Sequence, residues 1–287
     1  MYRASHGKVP ADEALLWRYV SFSKFVDLLQ RKQLYFCRLD KLQMLDPHEY
    51  SNISPIFGLT DPSTLDPSRS GALVGQPEEV QQAVLAHYAT QRAELEKYNR
   101  HVLDLEMRHM AAQAVCCWRH DSSESHAMWQ VYAPSAEGIA IRTTVERLKA
   151  SIADKRSIDI GMVSYYDSSG HFPTEKKDVG QLRVVSAAQT NVDQCLHKQP
   201  WYEYERELRV LLINERFPEP LAPPELYVDV NLDILLDAIV LSPTAPSWFE
   251  NVVRNVAGSY IDRIARSAMA QPRPIYQTQT ALGRVRQ

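Results

Sequence analysis

Glycine is scarce in this chain: 10 of 287 residues, about 3.5% against a usual ~7%. Phosphate-cradling loops need glycine where backbone approaches a ligand, and neither a Walker-type loop nor a dinucleotide glycine fingerprint is present. Cysteine is also sparse. Cys37, Cys116, Cys117 and Cys195 form no Cys-x-x-Cys pair, so neither a disulfide framework nor a zinc knuckle is signalled, and four free thiols are expected. No apolar run approaches membrane-spanning length, and the first residues lack the apolar core of a signal peptide. Neither sign of charge dominates. A net charge of −3 gives no general pull toward nucleic acid or anionic membrane. A soluble, cytoplasmic protein is the expectation.

What is present is 45% hydrophobic residues, enough for a sizeable core. Residues 15–20 and 33–37 read as strands around a helix with Phe22, Phe25, Val26 and Leu29 on one face. Residues 51–77 are rich in Pro, Ser, Gly and Asp and read as a long surface loop. Pro77-Glu78-Glu79 opens a long helix that runs to about residue 112, its first-turn acids matching the helix dipole. Further strands are expected at 113–118, 137–142, 159–166, 226–230 and 235–241. A short helix or turn is expected at 127–132, and helices after Thr143 or Thr144, at 181–198, and from Ser247 to about 264. Strands and helices do not alternate regularly, which predicts an α+β fold of mixed or antiparallel sheets, not a doubly wound one. The domain expectation is one unit over 1–287, with an inserted loop and helix at about 51–112 and a loose basic tail at about 271–287. The long helix at about 78–111 is also a possible homo-oligomer contact.

The stretch Lys198–Ile213 carries the strongest local signal. Pro200 opens a helical turn, and the run from Leu208 onward is aliphatic and strand-like. Glu205 and Glu207 fall at the junction. Such acids are either a solvated patch with Arg206 and Arg209 or a pair held at the mouth of a buried strand. Two weaker clusters are present. Asp46, His48 and Glu49 surround an Asp-Pro turn, and His120, Glu124 and His126 follow a strand, but their spacing fits no metal signature and no metal is expected.

Six motifs in order give the chain a resemblance. They are Trp17-Arg18-Tyr19, Leu34-Tyr35-Phe36, Leu45-Asp46-Pro47-His48-Glu49, Met128-Trp129-Gln130-Val131-Tyr132, Tyr204-Glu205-Arg206-Glu207-Leu208-Arg209 and Val240-Leu241-Ser242-Pro243. Together they resemble the bacterial domain-of-unknown-function 2971 family (DUF2971) over roughly residues 15–270. Leu45, His48 and Ser242 depart from that family's Asn, Phe and Gly. A second resemblance is to the ADP-ribosyltransferase fold, which places an Arg or His on its first strand and a Glu-x-Glu pair before a late strand. Phe36-Cys37-Arg38 stands where that fold often has Ser-Thr-Ser.

This second resemblance implies an NAD-dependent effector, a toxin or phage-defence protein, that modifies a protein or nucleic-acid acceptor. It implies Glu207 as the carboxylate on the ribose and Glu205 as the group that orients or deprotonates the acceptor. Arg18 would hold a phosphate or ribose oxygen, and Tyr19 or Tyr35 would stack on nicotinamide. These assignments require Arg18, Tyr35 and Glu207 to converge in one partly open cleft. Otherwise Arg18 and Glu207 are a structural ion pair. The alternatives are a non-catalytic sensor or adaptor that uses the same cleft, and a nuclease or hydrolase using Asp46, His48 and Glu49.

Overall fold

The computed structural model describes residues 9–46, 48, 59–69, 71, 73–156, 158–165, 195–216, 219–222 and 225–270. The chain begins with strand β1 (Leu15–Ser21), helix α1 (Phe22–Arg31) and strand β2 (Gln33–Arg38). Ser21 caps α1 by accepting the Lys24 N–H, and Lys32 ends it in the left-handed conformation at φ 54°. Helix α2 (Leu39–Leu45) follows, then a 3-10 turn at Pro62–Thr64 and the long helix α3 (Glu78–Ala111). Next come β3 (Gln113–His120), α4 (His126–Tyr132), β4 (Gly138–Thr144), α5 (Val145–Ser151), β5 (Ile158–Met162) and β6 (Ser164–Tyr165). After the undescribed segment come β7 (His197–Lys198), a 3-10 turn at Pro200–Glu205 and β8 (Glu207–Ile213). The chain continues through β9 (Glu225–Asp229), α6 (Leu232–Leu235), β10 (Ala238–Leu241), α7 (Ser247–Ala257) and β11 (Ile264–Arg266). The fold is mixed α+β, with a mostly antiparallel sheet.

Strand β3 is the hub of that sheet. One of its edges pairs along its length with β8, from Gln113↔Ile213 to Arg119↔Glu207. Its other edge is shared: β2 takes Ala114 and Val115, and β1 takes Arg119 and His120. The sheet therefore splits into two arms, β1-β4-β10-β11 and β2-β9, while β5 extends the β8 side. β11 alone pairs in parallel within this sheet among the described residues.

Alternation along the strands sorts side chains to two faces. The first face holds the main core: Leu16, Val20, Phe36, Trp118, Ile139, Leu208 and Val210 pack with α1, α5 and α7 through Phe25, Leu148, Phe249 and Val253. The second face carries two smaller apolar groups. One is Leu39, Met110, Val115, Leu196 and Leu211. The other is Trp17, Tyr19, Met128, Trp129, Ala140 and Val240.

Several expected boundaries move. The strand expected over 159–166 divides into β5 and β6 within the described residues: the Val163 N–H continues the β5–β8 register onto Glu207 O, and Ser164 then donates to Leu196 O. Residue 235 is helical, because Asn231 accepts the N–H groups of Asp233 and Ile234 and starts a turn. The last helix stops at Ala257, before Gly258 at φ 56°, and is followed by a 3-10 turn and β11. The helix expected over 181–198 lies mostly outside the described residues, and its last two residues form β7. Residues 51–58 and 271–287 also lie outside them. Among the described residues no helix is long and apolar enough to cross a membrane.

Candidate functional site

On β8 the alternation puts Glu207, Arg209 and Leu211 on the second face. Leu211 belongs to one small apolar group, and Glu207 lies across from Arg119, which lies across from Trp17 of the other. The charged residues therefore fill the seam between two apolar groups. The preceding 3-10 turn opens with Pro200 and ends at Arg206 in the left-handed conformation, φ 44°. Glu205 and Glu207 flank that reversal and turn inward, 3% and 4% exposed, while Arg206 stays at the surface.

Every ionic group in the seam has a partner. Arg209, fully buried, forks onto Glu207 through Nε at 2.9 Å and Nη2 at 3.1 Å, and its Nη1 donates to Cys195 O at 2.8 Å. Lys198 Nζ lies between the acids, 2.7 Å from Glu205 Oε2 and 3.3 Å from Glu207 Oε2. It also lies 4.5 Å from the Tyr202 ring centroid. Tyr132 Oη donates to Glu205 Oε1 at 2.8 Å. The Glu207 N–H donates to Tyr165 Oη at 2.7 Å. Tyr202 donates to Asp46, so the end of α2 joins the network. Across from Arg209 on β5 stands Gly161, where a Cβ would meet Leu196 Cδ1.

Two positive and two negative groups cancel here, but the acids are not equivalent. Burial opposes ionisation of Glu207, yet the Arg209 guanidinium and then Lys198 overcome it and hold that carboxyl at about 2. At Glu205 burial dominates. Lys198 opposes it, the neighbouring Glu207 charge adds to it, and the carboxyl is raised above its ordinary value. Burial, and then the Glu205 charge, also push the Tyr132 phenol up, so Tyr132 remains a donor. Around Glu205 the surface is aromatic: Tyr132 is 44% exposed, Tyr204 41% and Trp201 58%.

The structure brings together Glu205 and Glu207 but not the other expected site residues. Arg18 follows Trp17, whose side chain shares the Glu207 face, so Arg18 points to the opposite face of the sheet. There it donates to Cys116 Sγ at 2.9 Å and Tyr35 O at 3.2 Å, bridging the gap where β1 and β2 diverge from β3. It is neither a cleft partner nor an ion-pair partner of Glu207. Tyr19 is buried against Trp129, with ring centroids 4.9 Å apart, and its hydroxyl accepts the Ser125 N–H. Tyr35 is half-exposed beside Tyr227 on the β2-β9 arm. The solvated Glu-Arg-Glu patch does not form, since both acids are buried.

Of the weaker clusters, Asp46 joins the network, while His48 stacks edge-on to Trp201, with centroids 5.7 Å apart. Glu49 lies outside the described residues. Glu124 is occupied structurally, accepting from Trp129 Nε1, Ser267 Oγ and Ala268 N. Among the described residues no group of three or more His, Cys, Asp and Glu side chains is placed to hold a metal ion.

Sequence reasoning missed Lys198, Tyr132 and Tyr165 as site residues. Arg209 had a legible signal, a basic residue two positions after an acid inside an aliphatic strand. Lys198 had none, because only the Pro200 turn carries it back to Glu205.

Residues 128–210 match the model of a protein family described as "Protein of unknown function (DUF2971)". This is the family that the six motifs resemble, and the matched segment runs from α4 into β8, through both the Tyr132 and the Glu205–Arg209 motifs. No curated protein and no solved structure matches the chain.

Proposed function

We propose that this chain binds NAD over its aromatic rim, cleaves the bond between nicotinamide and ribose, and transfers ADP-ribose to a macromolecular acceptor. Glu205, not Glu207, is the working carboxylate. The observation that carries this reading is the contrast between the acids. Glu207 is neutralised by a forked guanidinium and a shared ammonium. Glu205 has the shared Lys198 as its one charged partner, with the neutral phenols of Tyr132 and Tyr204, and its proton affinity is raised. A carboxylate with a raised proton affinity beneath exposed rings suits glycosidic chemistry. Tyr204 and Trp201 offer flat apolar faces for nicotinamide or adenine, and the largely exposed Arg206 guanidinium, paired with Asp121 through Nη1 at 3.2 Å, offers its remaining donors for pyrophosphate.

In this scheme the C1′–N bond breaks with its electron pair going to the pyridinium nitrogen, so nicotinamide leaves neutral. The acceptor oxygen or nitrogen bonds to C1′, and its proton passes to the Glu205 carboxylate. Negative charge at Glu205 also stabilises the oxocarbenium-like ribose before the new bond forms.

The test is incubation with labelled NAD and a cell lysate, following nicotinamide release and label on protein or nucleic acid. Wild type should give both signals, and Glu205→Gln should lower them by about a hundredfold or more. Absence of NAD binding and of turnover would sink the assignment. A non-catalytic sensor is the second reading, favoured by the resting geometry, in which both oxygens of Glu205 are already engaged. It is recognised by NAD binding without nicotinamide release.

A further inference from the structure

We propose that Tyr132 is a placeholder. Its hydroxyl occupies on Glu205 Oε1 the position taken by a hydroxyl of the bound ligand, and the ring swings outward when the ligand enters. The choice of ligand, a ribose diol, rests on the reading given above; the placeholder role rests on geometry.

Glu205 is buried, with Tyr132 donating to Oε1, Lys198 donating to Oε2, and the Tyr204 phenol also hydrogen-bonded to the carboxylate. A ligand hydroxyl that takes the position of one of these donors displaces it. Lys198 cannot yield easily. Its side chain is 3% exposed, it is tied to two carboxylates, and the Tyr202 ring lies beside it. Moving it would strand a buried ammonium and leave the buried Glu205 without its counter-ion. Tyr132 differs on each count. It makes one polar contact with the network, its ring is 44% exposed, and its neighbour Val131 is more exposed still.

The helix beneath Tyr132 makes this swing local. α4 is pinned by Met128 and Trp129, which pack against Trp17 and Tyr19, and by the Ser125 cap, whose N–H is held by Tyr19. Tyr132 is the last residue of α4, and its side chain can turn about χ1 without unseating those anchors. The exchange is also matched in kind. A phenol donating to a carboxylate is replaced by a ligand hydroxyl donating to the same oxygen, so no buried acceptor is left unmade. An apolar ligand, or one without a hydroxyl at that point, would leave Oε1 orphaned, and Tyr132 thereby selects for a hydroxyl-bearing ligand.

The experiment treats the full chain with a water-soluble carbodiimide and an amine, and quantifies labelling of individual carboxyls by peptide mass spectrometry. In wild type, Glu205 and Glu207 should both resist labelling. Tyr132→Phe and Tyr132→Ala should raise labelling of Glu205 by about tenfold or more, the worth of one hydrogen bond to a charged group. Glu207 should stay unlabelled, because Arg209 and Lys198 remain on it. Unchanged Glu205 labelling in both variants overturns the proposal. So does a parallel rise at Glu207, which would mean general loosening. Where NAD is turned over, Tyr132→Phe should also lower KM by about threefold to tenfold with kcat nearly unchanged. A raised KM would mean that the hydroxyl itself binds the ligand, and would overturn the placeholder. Absence of both NAD binding and NAD turnover sinks the NAD reading alone, because labelling still decides the role of Tyr132.

Discussion

Replacing Glu207 by Gln isolates what the buried network contributes. The variant keeps the size of the side chain and removes its charge. Arg209, fully buried, and Lys198, nearly so, lose their shared counter-ion. Removing one partner from a buried ion pair costs about 3–5 kcal/mol, because the remaining charge is stranded. At about 2.1 cal/mol/K per residue, the unfolding entropy of a chain this long is on the order of 0.6 kcal/mol/K, so Tm should fall by roughly 5–8 °C. Thermal unfolding followed by circular dichroism at neutral pH measures this directly.

The partner is identified by double variants. Combining Glu207→Gln with Arg209→Met should cost less than the sum of the single changes by about 1–3 kcal/mol, the coupling expected of groups in contact. Recovery should be incomplete, since Arg209 also satisfies the Cys195 carbonyl. Combining Glu207→Gln with Arg18→Met should be additive within about 0.5 kcal/mol, because the two side chains lie on opposite faces of the sheet. A Tm for Glu207→Gln within about 1 °C of wild type, or rescue by Arg18→Met, would refute this account of the network.

The two acids should also give stability opposite slopes with pH. Below the ordinary value of 4.5 the folded protein keeps Glu207 ionised while the unfolded chain takes up a proton, so stability falls as pH drops from 4.5 toward about 2. Glu205 works in reverse. Its folded value is raised, the unfolded chain loses its proton first, and stability declines as pH rises from 4.5 toward the folded value. Denaturant midpoints across pH should therefore lose the upper decline in Glu205→Gln, and an unaltered profile would contradict the raised affinity. Lys32→Gly should stabilise by up to about 1 kcal/mol, since the exposed cap of α1 sits at φ 54° and glycine relieves it; an unfavourable shift in the urea midpoint would count against this. Cys37, Cys116, Cys117 and Cys195 form no disulfide, so denatured, non-reduced protein should titrate four thiols. In the folded protein the buried Cys116, whose thiol burial pushes up, should react far more slowly than the partly exposed Cys37.

Much of the fold was legible because its signals are local. The apolar runs of β1 and β8 and the acids after Pro77 each report on a few neighbouring residues, and those elements stand close to their expected bounds. The failures arise where tertiary contacts decide. Asn231 diverts the chain into a helical turn before β10, and Gly258 stops α7 early. The site was half legible. Glu205 and Glu207 announce themselves at the turn-to-strand junction, but strand alternation gives facing only relative to a register, and no local pattern fixes the register of β1 against β3 and β8. Arg18 therefore reads equally well as a partner of Glu207 or as a residue of the other face. Tyr132 lies 73 positions from Glu205, and nothing within either segment indicates that the two meet.

The shared edge of β3 has a consequence for synthesis on the ribosome. β1 and β2 precede β3, so one edge of the hub strand can close as soon as β3 emerges. The opposite edge waits for β8, and the paired residues Arg119 and Glu207 are made 88 residues apart. At about 5–20 residues per second, that edge remains open for roughly 4–18 s. Its sequence is apolar from Ala114 to Trp118 and carries two adjacent thiols. β5 is made in the interval but pairs with β8 alone among the described residues, so it cannot close the edge. Glu207 and Arg209 arrive on the strand that finally covers β3, so burial of the charged seam coincides with the end of the nascent chain's exposure to aggregation.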